Sequence, residues 1–218
     1  MAANCNETRG IGPLQVFDAV IIDDPAEQER LNRTRLGPEV RNPAILVRYY
    51  RDSKRPIRKE LEWFANHPSL ESAIGDAAMS IDGEGKRFSH QHRLKRAVLE
   101  SARKKLISSA ARLEKCTTFE ELHGIVESVL KSVEGAGELF FYDVSLRIGS
   151  YKGIFPLKVF LHAGTRKGAK ALGLSTQLSW LDMISLPDWL QELQPYEVED
   201  FLCLYKDRLT SSKSASAS

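Results

Sequence analysis

The segment spanning residues 138–173 constrains the fold most, because it combines aromatic side chains, helix-breaking glycines and clustered positive charge. It contains six aromatic residues, and six of the chain's fourteen glycines lie in it when the preceding Gly137 is counted. Between Arg147 and Lys170 there are six Lys or Arg and no Asp or Glu, so the local charge is +6. A segment that is both apolar and basic needs a buried face and a charged face. We therefore expect a core element whose charged side meets an anion.

Charge is also uneven elsewhere in the chain. Residues 86–105 hold eight cations and one acid, a local charge of +7. Residues 182–207 hold seven acids and one cation, a local charge of −6, although the whole chain carries only +2. This distribution predicts a polarised surface and not a uniformly basic protein.

Cysteine usage and hydropathy exclude several classes. Cys5, Cys116 and Cys203 are far apart in the sequence, which argues against a disulfide framework and for a reducing compartment. The N-terminal residues lack the apolar stretch of a secretory signal, and no run approaches the roughly 18 apolar residues that span a bilayer. We expect a cytoplasmic protein without a membrane segment, metal or cofactor.

Proline, glycine and capping signals predict a mostly α-helical fold. We expect one compact domain of eight to ten helices over residues 14–210, between a flexible arm at 1–13 and a disordered tail at 211–218. Residues 14–22 are apolar and β-branched. They can form a short strand, but an extended segment packed on a helical body fits the same pattern.

Local signals fix several helix ends. A helix is predicted to open at Pro56 and to stop at His67-Pro68, with Ser69 capping the next one. Thr118 and Glu121 have the spacing of a capping box.

Further helices and one tight turn are predicted from the first basic segment onward. One long helix runs to about Cys116, and another covers 138–151. Residues 153–156 form a tight turn, because Pro156 disfavours helical geometry at Phe155. A helix resumes over 157–163, and a last piece starts at Thr165.

Residues 138–170, read as helix, short turn and helix, resemble a helix-hairpin-helix module. DNA glycosylases and several repair proteins use this module to hold a phosphate backbone without reading sequence, so the resemblance implies DNA binding. The turn departs from the family pattern, because it has Gly153 alone where the family has two glycines, and Pro156 removes a backbone donor. No Asp lies between residues 157 and 173, so glycosylase activity is not implied.

The sequence Gly164-Thr165-Arg166-Lys167-Gly168 is a candidate phosphate site. A helix start exposes unpaired N–H groups, and two cations in its first turn are unfavourable for the helix dipole unless an anion binds there. A plain helix break with solvated cations is the alternative.

Residues 86–96 are the second candidate, with His90 and His92 surrounded by cations. They can form a phosphate-contacting loop or a solvated basic surface. A zinc site is disfavoured, because no thiolate or carboxylate ligands are nearby.

Asp143 and His162 are the candidates for acid–base catalysis. Asp143 and Arg147 are also one helical turn apart, so a structural ion pair is the alternative.

The leading hypothesis is a nucleic-acid-binding protein, with DNA favoured, that contacts backbone phosphates. The predicted contacts are Lys86, Arg87, His90, Arg93, Arg147, Lys152, Thr165, Arg166, Lys167 and Lys170. One alternative is an enzyme acting on a phosphorylated substrate or nucleic acid. Another is a protein-interaction or regulatory subunit. Under the leading hypothesis, the acidic C-terminal helices could dock a basic protein partner or shield the nucleic-acid groove.

Overall fold

A computed structural model describes residues 43–52 and 56–209. The described part is mostly α-helical with one two-stranded sheet, which confirms the predicted fold class. None of its helices is both long and apolar enough to cross a membrane. The predictions for the arm at 1–13, the strand at 14–22 and the tail at 211–218 lie outside the described residues.

The helices are α1 (Pro43–Asp52), α2 (Pro56–Ala65), α3 (Leu70–Met79), α4 (Arg96–Ile107), α5 (Ala110–Glu114), α6 (Phe119–Leu130), α7 (Glu138–Lys152), α8 (Ala163–Ala171), α9 (Asp188–Gln191) and α10 (Pro195–Tyr205). Strands β1 (Lys158–Phe160) and β2 (Trp180–Asp182) pair antiparallel, with Val159 opposite Leu181. Short 3₁₀ turns cover Ser89–Gln91 and Met183–Ser185.

The predicted ends of α2 and the predicted starts of α3 and α6 are confirmed. Ser69 accepts a hydrogen bond from the Ser72 N–H across 3.1 Å, and α2 stops just before His67-Pro68. At α6 the Thr118 hydroxyl accepts from the Glu121 N–H while the Glu121 carboxylate returns to the Thr118 N–H. These caps satisfy backbone donors that a helix start leaves unpaired.

The single long helix predicted up to Cys116 is wrong, because the chain forms α4 and α5 instead. The break falls at Ser108 and Ser109, whose hydroxyls donate to the carbonyls of Lys104 and Lys105 at 3.0 and 3.1 Å. Serine hydroxyls that bond to the preceding turn compete with the helix ladder.

The helix predicted over 157–163 is also wrong, because residues 158–160 form β1. Pro156 holds the chain extended at this point, and pairing with β2 then satisfies the extended backbone. Strand β1 therefore lies between α7 and α8, the two helices within residues 138–170 that resemble a helix-hairpin-helix module. The resemblance itself stays a prediction.

Helix α7 lies at the centre of the fold. It packs against α2, α3 and α6, and every side chain from Phe140 to Ser150 except Asp143 is buried. One apolar cluster joins α2–α7, and a second joins α1, both strands and α8–α10. A helix buried on all sides must place its polar groups against partners, and these contacts define the candidate sites.

Candidate functional site

The glycines of the predicted phosphate site at 164–168 serve helix packing. A Cβ atom added at Gly168 would lie 2.2 Å from the Leu202 carbonyl oxygen, and one at Gly164 would lie 2.6 Å from the Cys203 sulfur. Both contacts are with α10, so the glycines let α8 and α10 approach closely. Their spacing reflects this helix crossing.

An anion does lie beside the start of α8, but it belongs to the chain itself. Thr165 is fully buried, and its hydroxyl donates to Glu199 Oε1 across 2.9 Å. His162 Nε2 lies 2.7 Å from the same hydroxyl and also contacts the Glu199 carboxylate. Burial lowers the pKa of His162, but the hydrogen bond and charge of Glu199 outweigh it and raise that pKa. Burial also raises the pKa of Glu199.

The cations that follow Thr165 mostly have partners within the chain. The Arg166 guanidinium donates to the carbonyls of Leu161, Thr176 and Leu178 at 2.8 to 3.0 Å, which ties the loop before β2 to α8. Lys167 pairs with Asp207 at 2.5 Å, whereas Lys170 is exposed.

The first basic segment is anchored on α7. His90 Nε2 lies 3.0 Å from Asp143 Oδ2, and the Gln91 amide donates to the same oxygen. Burial would raise the pKa of Asp143, but His90, Arg147 and Gln91 together lower it. Lys86 pairs with Glu84 and Arg87 donates to the Leu94 carbonyl, while Arg93 is exposed.

Arg147 is buried in the interior, with 1% of its surface exposed. Its Nε donates to Glu60 Oε1 across 2.6 Å, and the guanidinium carbon lies 4.1 Å from the centre of the Phe88 ring. The ion pair considered between Asp143 and Arg147 is therefore not formed, since Asp143 pairs with His90. Lys152 donates to the Glu114 carbonyl at the end of α5.

The acidic C-terminal segment is partly internal. Glu197 and Glu199 are 3% and 6% exposed, whereas Asp182, Asp188 and Glu192 lie on the surface. Its docking of a basic protein partner stays a prediction.

The structure also has a surface groove that the sequence analysis missed, between α4–α5 and α6. It consists of two adjoining hollows of about 580 and 550 Å³ that share Ser128. The first is lined by Ser101, Lys104, Lys105, Ser108, Ser109, Ser128, Val129 and Ser132. The second is lined by Arg112, Lys115, Cys116, Glu120, Glu121, Gly124, Ile125 and Ser128. Neither hollow is lined by Asp143 or His162, so the two catalytic candidates do not face this groove.

The α4–α5 wall of the groove carries four cations, Lys104, Lys105, Arg112 and Lys115, against Glu120 and Glu121 from α6. Lys105 donates to the Ser132 hydroxyl across 3.0 Å, and none of the four has an ion-pair partner among the described residues. Backbone hydrogen bonds lower the pKa of Glu121, so that carboxylate stays ionised. The groove therefore has an excess of two positive charges.

One sequence signal could have revealed this groove. Lys104, Ser108, Arg112 and Lys115 recur at intervals of three or four residues, which places them on one helical face. The long helix predicted up to Cys116 has a face rich in Lys and Arg, but none of these four residues is among the predicted phosphate contacts.

Within residues 43–52 and 56–209, no group of three or more His, Cys, Asp or Glu is arranged to hold a metal ion. No known protein family, curated protein sequence or solved structure matches this chain. A function therefore has to be argued from the geometry of the chain itself.

Proposed function

We propose that this protein binds nucleic acid by its phosphate backbone, along the groove between α4–α5 and α6. The observation that carries the proposal is the row of four cations on one wall, which lack carboxylate partners in the described part of the chain. Unpaired surface cations gathered in a concave site attract a polyanion and replace its counterions. The polymer is DNA if the helix-hairpin-helix resemblance holds.

None of the ten phosphate contacts predicted from the sequence lines this groove. Arg147 and Thr165 are buried, and Arg166 donates to three carbonyls of its own chain. Arg93 is exposed and stays available as a peripheral contact. Lys86 pairs with Glu84, Lys152 donates to the Glu114 carbonyl, and Lys170 lies on α8, outside the groove lining.

The test is fluorescence anisotropy with labelled DNA and RNA over a range of salt concentrations. A variant with Lys104→Gln and Lys105→Gln should bind more weakly. The negative slope of log K against log salt should become shallower by about 2, because each phosphate contact contributes about 0.9 to its magnitude. Lys167→Gln with Lys170→Gln is the matched control, since it removes the same charge from α8. An equal loss of affinity in both variants, or no binding at low salt, would refute the groove as the nucleic-acid binding site.

A further inference from the structure

We infer that the groove accepts the phosphate backbone of a duplex in preference to a single strand. This inference rests on the proposed function and names its ligand class.

No aromatic side chain lines either hollow of the groove. Proteins that hold single strands without sequence preference usually stack bases on aromatic rings, at about 1–3 kcal/mol per base. Phe119, at the start of the neighbouring α6, is 1% exposed and packs towards Tyr142 and Phe160. A single strand in this groove would therefore gain charge contacts but no stacking.

The large aromatic side chains exposed elsewhere in the described residues do not supply a stacking surface for the groove. Tyr49 lies on α1, and Phe155 lies in the turn after α7 with its ring 5.4 Å from that of Tyr196. Both belong to parts of the fold outside the groove lining.

The serine hydroxyls of the groove are poorly suited to reading bases. Ser108, Ser109, Ser128 and Ser132 all donate to carbonyls of their own helical turns. Their donors are used, and the groove contains no Asn or Gln that could pair with a base edge. The remaining polar contacts of the groove come from Lys and Arg, which bind backbone phosphates and, among the bases, favour guanine.

The cations of the groove lie on both sides of the break between α4 and α5. Lys104 and Lys105 belong to α4, whereas Arg112 belongs to α5. A duplex presents its phosphates in a fixed array, whereas a single strand must lose conformational freedom to place its phosphates against cations held on two helices.

The experiment compares a labelled duplex with each of its two single strands, at equal length and salt, using the intact protein. We expect the duplex to bind about ten-fold more tightly than either strand at low salt. The slope of log K against log salt should have a magnitude of about 0.9 per phosphate contact for the duplex and about 0.7 for a single strand. A single strand containing 2-aminopurine should keep its fluorescence on binding, since no ring stacks on the base. Lys104→Gln with Lys105→Gln should reduce the duplex preference.

Tighter binding of a single strand, or a change in 2-aminopurine fluorescence, would overturn this inference and leave the nucleic-acid proposal standing. Displacement of the duplex by inorganic polyphosphate at equal phosphate concentration would also overturn it, because a bare polyanion would then suffice. If neither polymer binds at low salt, the proposed function fails together with the inference.

Discussion

Arg147 and Glu60 form an ion pair in the interior, with Arg147 Nε 2.6 Å from Glu60 Oε1. The pair joins α7 to α2, and the side chains are 1% and 13% exposed. Burial raises the pKa of Glu60, and the charge of Arg147 opposes that rise. Phe88 packs over the guanidinium, so the position of the first basic segment, residues 86–96, also depends on this pair.

Removing one partner of this pair should be far more costly than replacing both. We expect Glu60→Ala to destabilise the protein by about 3–5 kcal/mol, because it leaves Arg147 buried without its carboxylate. Glu60→Leu combined with Arg147→Met should recover most of that loss. Urea denaturation of the parent protein, Glu60→Ala and the double variant measures these changes in the free energy of unfolding. A loss under about 1 kcal/mol for Glu60→Ala would contradict a structural role for the pair.

The sequence was informative where the deciding interaction is local. Ser69 and the pair Thr118–Glu121 cap helices through residues three positions away, so their roles can be predicted from spacing alone. The partner of Arg147 lies 87 positions earlier in the chain, whereas Asp143 lies only one turn away. Helical spacing therefore suggested the local pair.

The candidate site was harder to predict, because glycine has two uses. A close approach of a ligand and a close approach of another helix both require a missing side chain, and the sequence around Gly164 and Gly168 does not distinguish them. The structure resolves the question in favour of α10. The groove was not predicted, because its second wall comes from α6, and the packing of α6 against α4 and α5 is a tertiary contact that helical spacing does not show.

Gly168→Ala should destabilise the contact between α8 and α10. The added Cβ would lie 2.2 Å from the Leu202 carbonyl oxygen, a backbone atom that moves only with its helix. We expect a loss of about 1–3 kcal/mol in the free energy of unfolding from overpacking.

Gly124→Ala in α6 is the matched control, because a Cβ there meets no atom within 4 Å. Alanine in that open helical position should stabilise by about 0.5–1 kcal/mol. Thermal or urea unfolding that ranks the two variants equally would refute the packing role.

The contact between His90 and Asp143 should make stability depend on pH. Burial lowers the pKa of His90, but the hydrogen bond and charge of Asp143 outweigh it and raise that pKa. The folded protein thus holds the proton more tightly than the unfolded chain. The resulting stability is complete below the unfolded pKa of about 6.5 and is lost as pH rises through the folded value. The loss of stability caused by His90→Gln should therefore be largest near pH 5.5 and shrink towards pH 8.5.

The matched control for this pH effect is His92→Gln. The His92 imidazole contacts the Arg87 carbonyl and has no carboxylate partner among the described residues. Its replacement removes an imidazole of the same segment without removing a carboxylate contact, so a pH dependence seen with His90→Gln alone is due to Asp143. A His90→Gln effect that stays constant over the same range, measured as urea midpoints, would show that the His90 charge does not contribute.

Thr165→Val should reveal how much the hydroxyl beside Glu199 contributes. The substitution keeps the shape of a fully buried side chain but removes the donor that lies 2.9 Å from Glu199 Oε1. We expect a loss of about 1–3 kcal/mol, because a buried carboxylate then lacks one hydrogen-bond partner. Thr165→Ser keeps the hydroxyl and removes only a methyl group, so it should cost about 1 kcal/mol. Urea denaturation of both variants decides the matter. A valine variant as stable as the serine variant would mean that His162 alone satisfies Glu199.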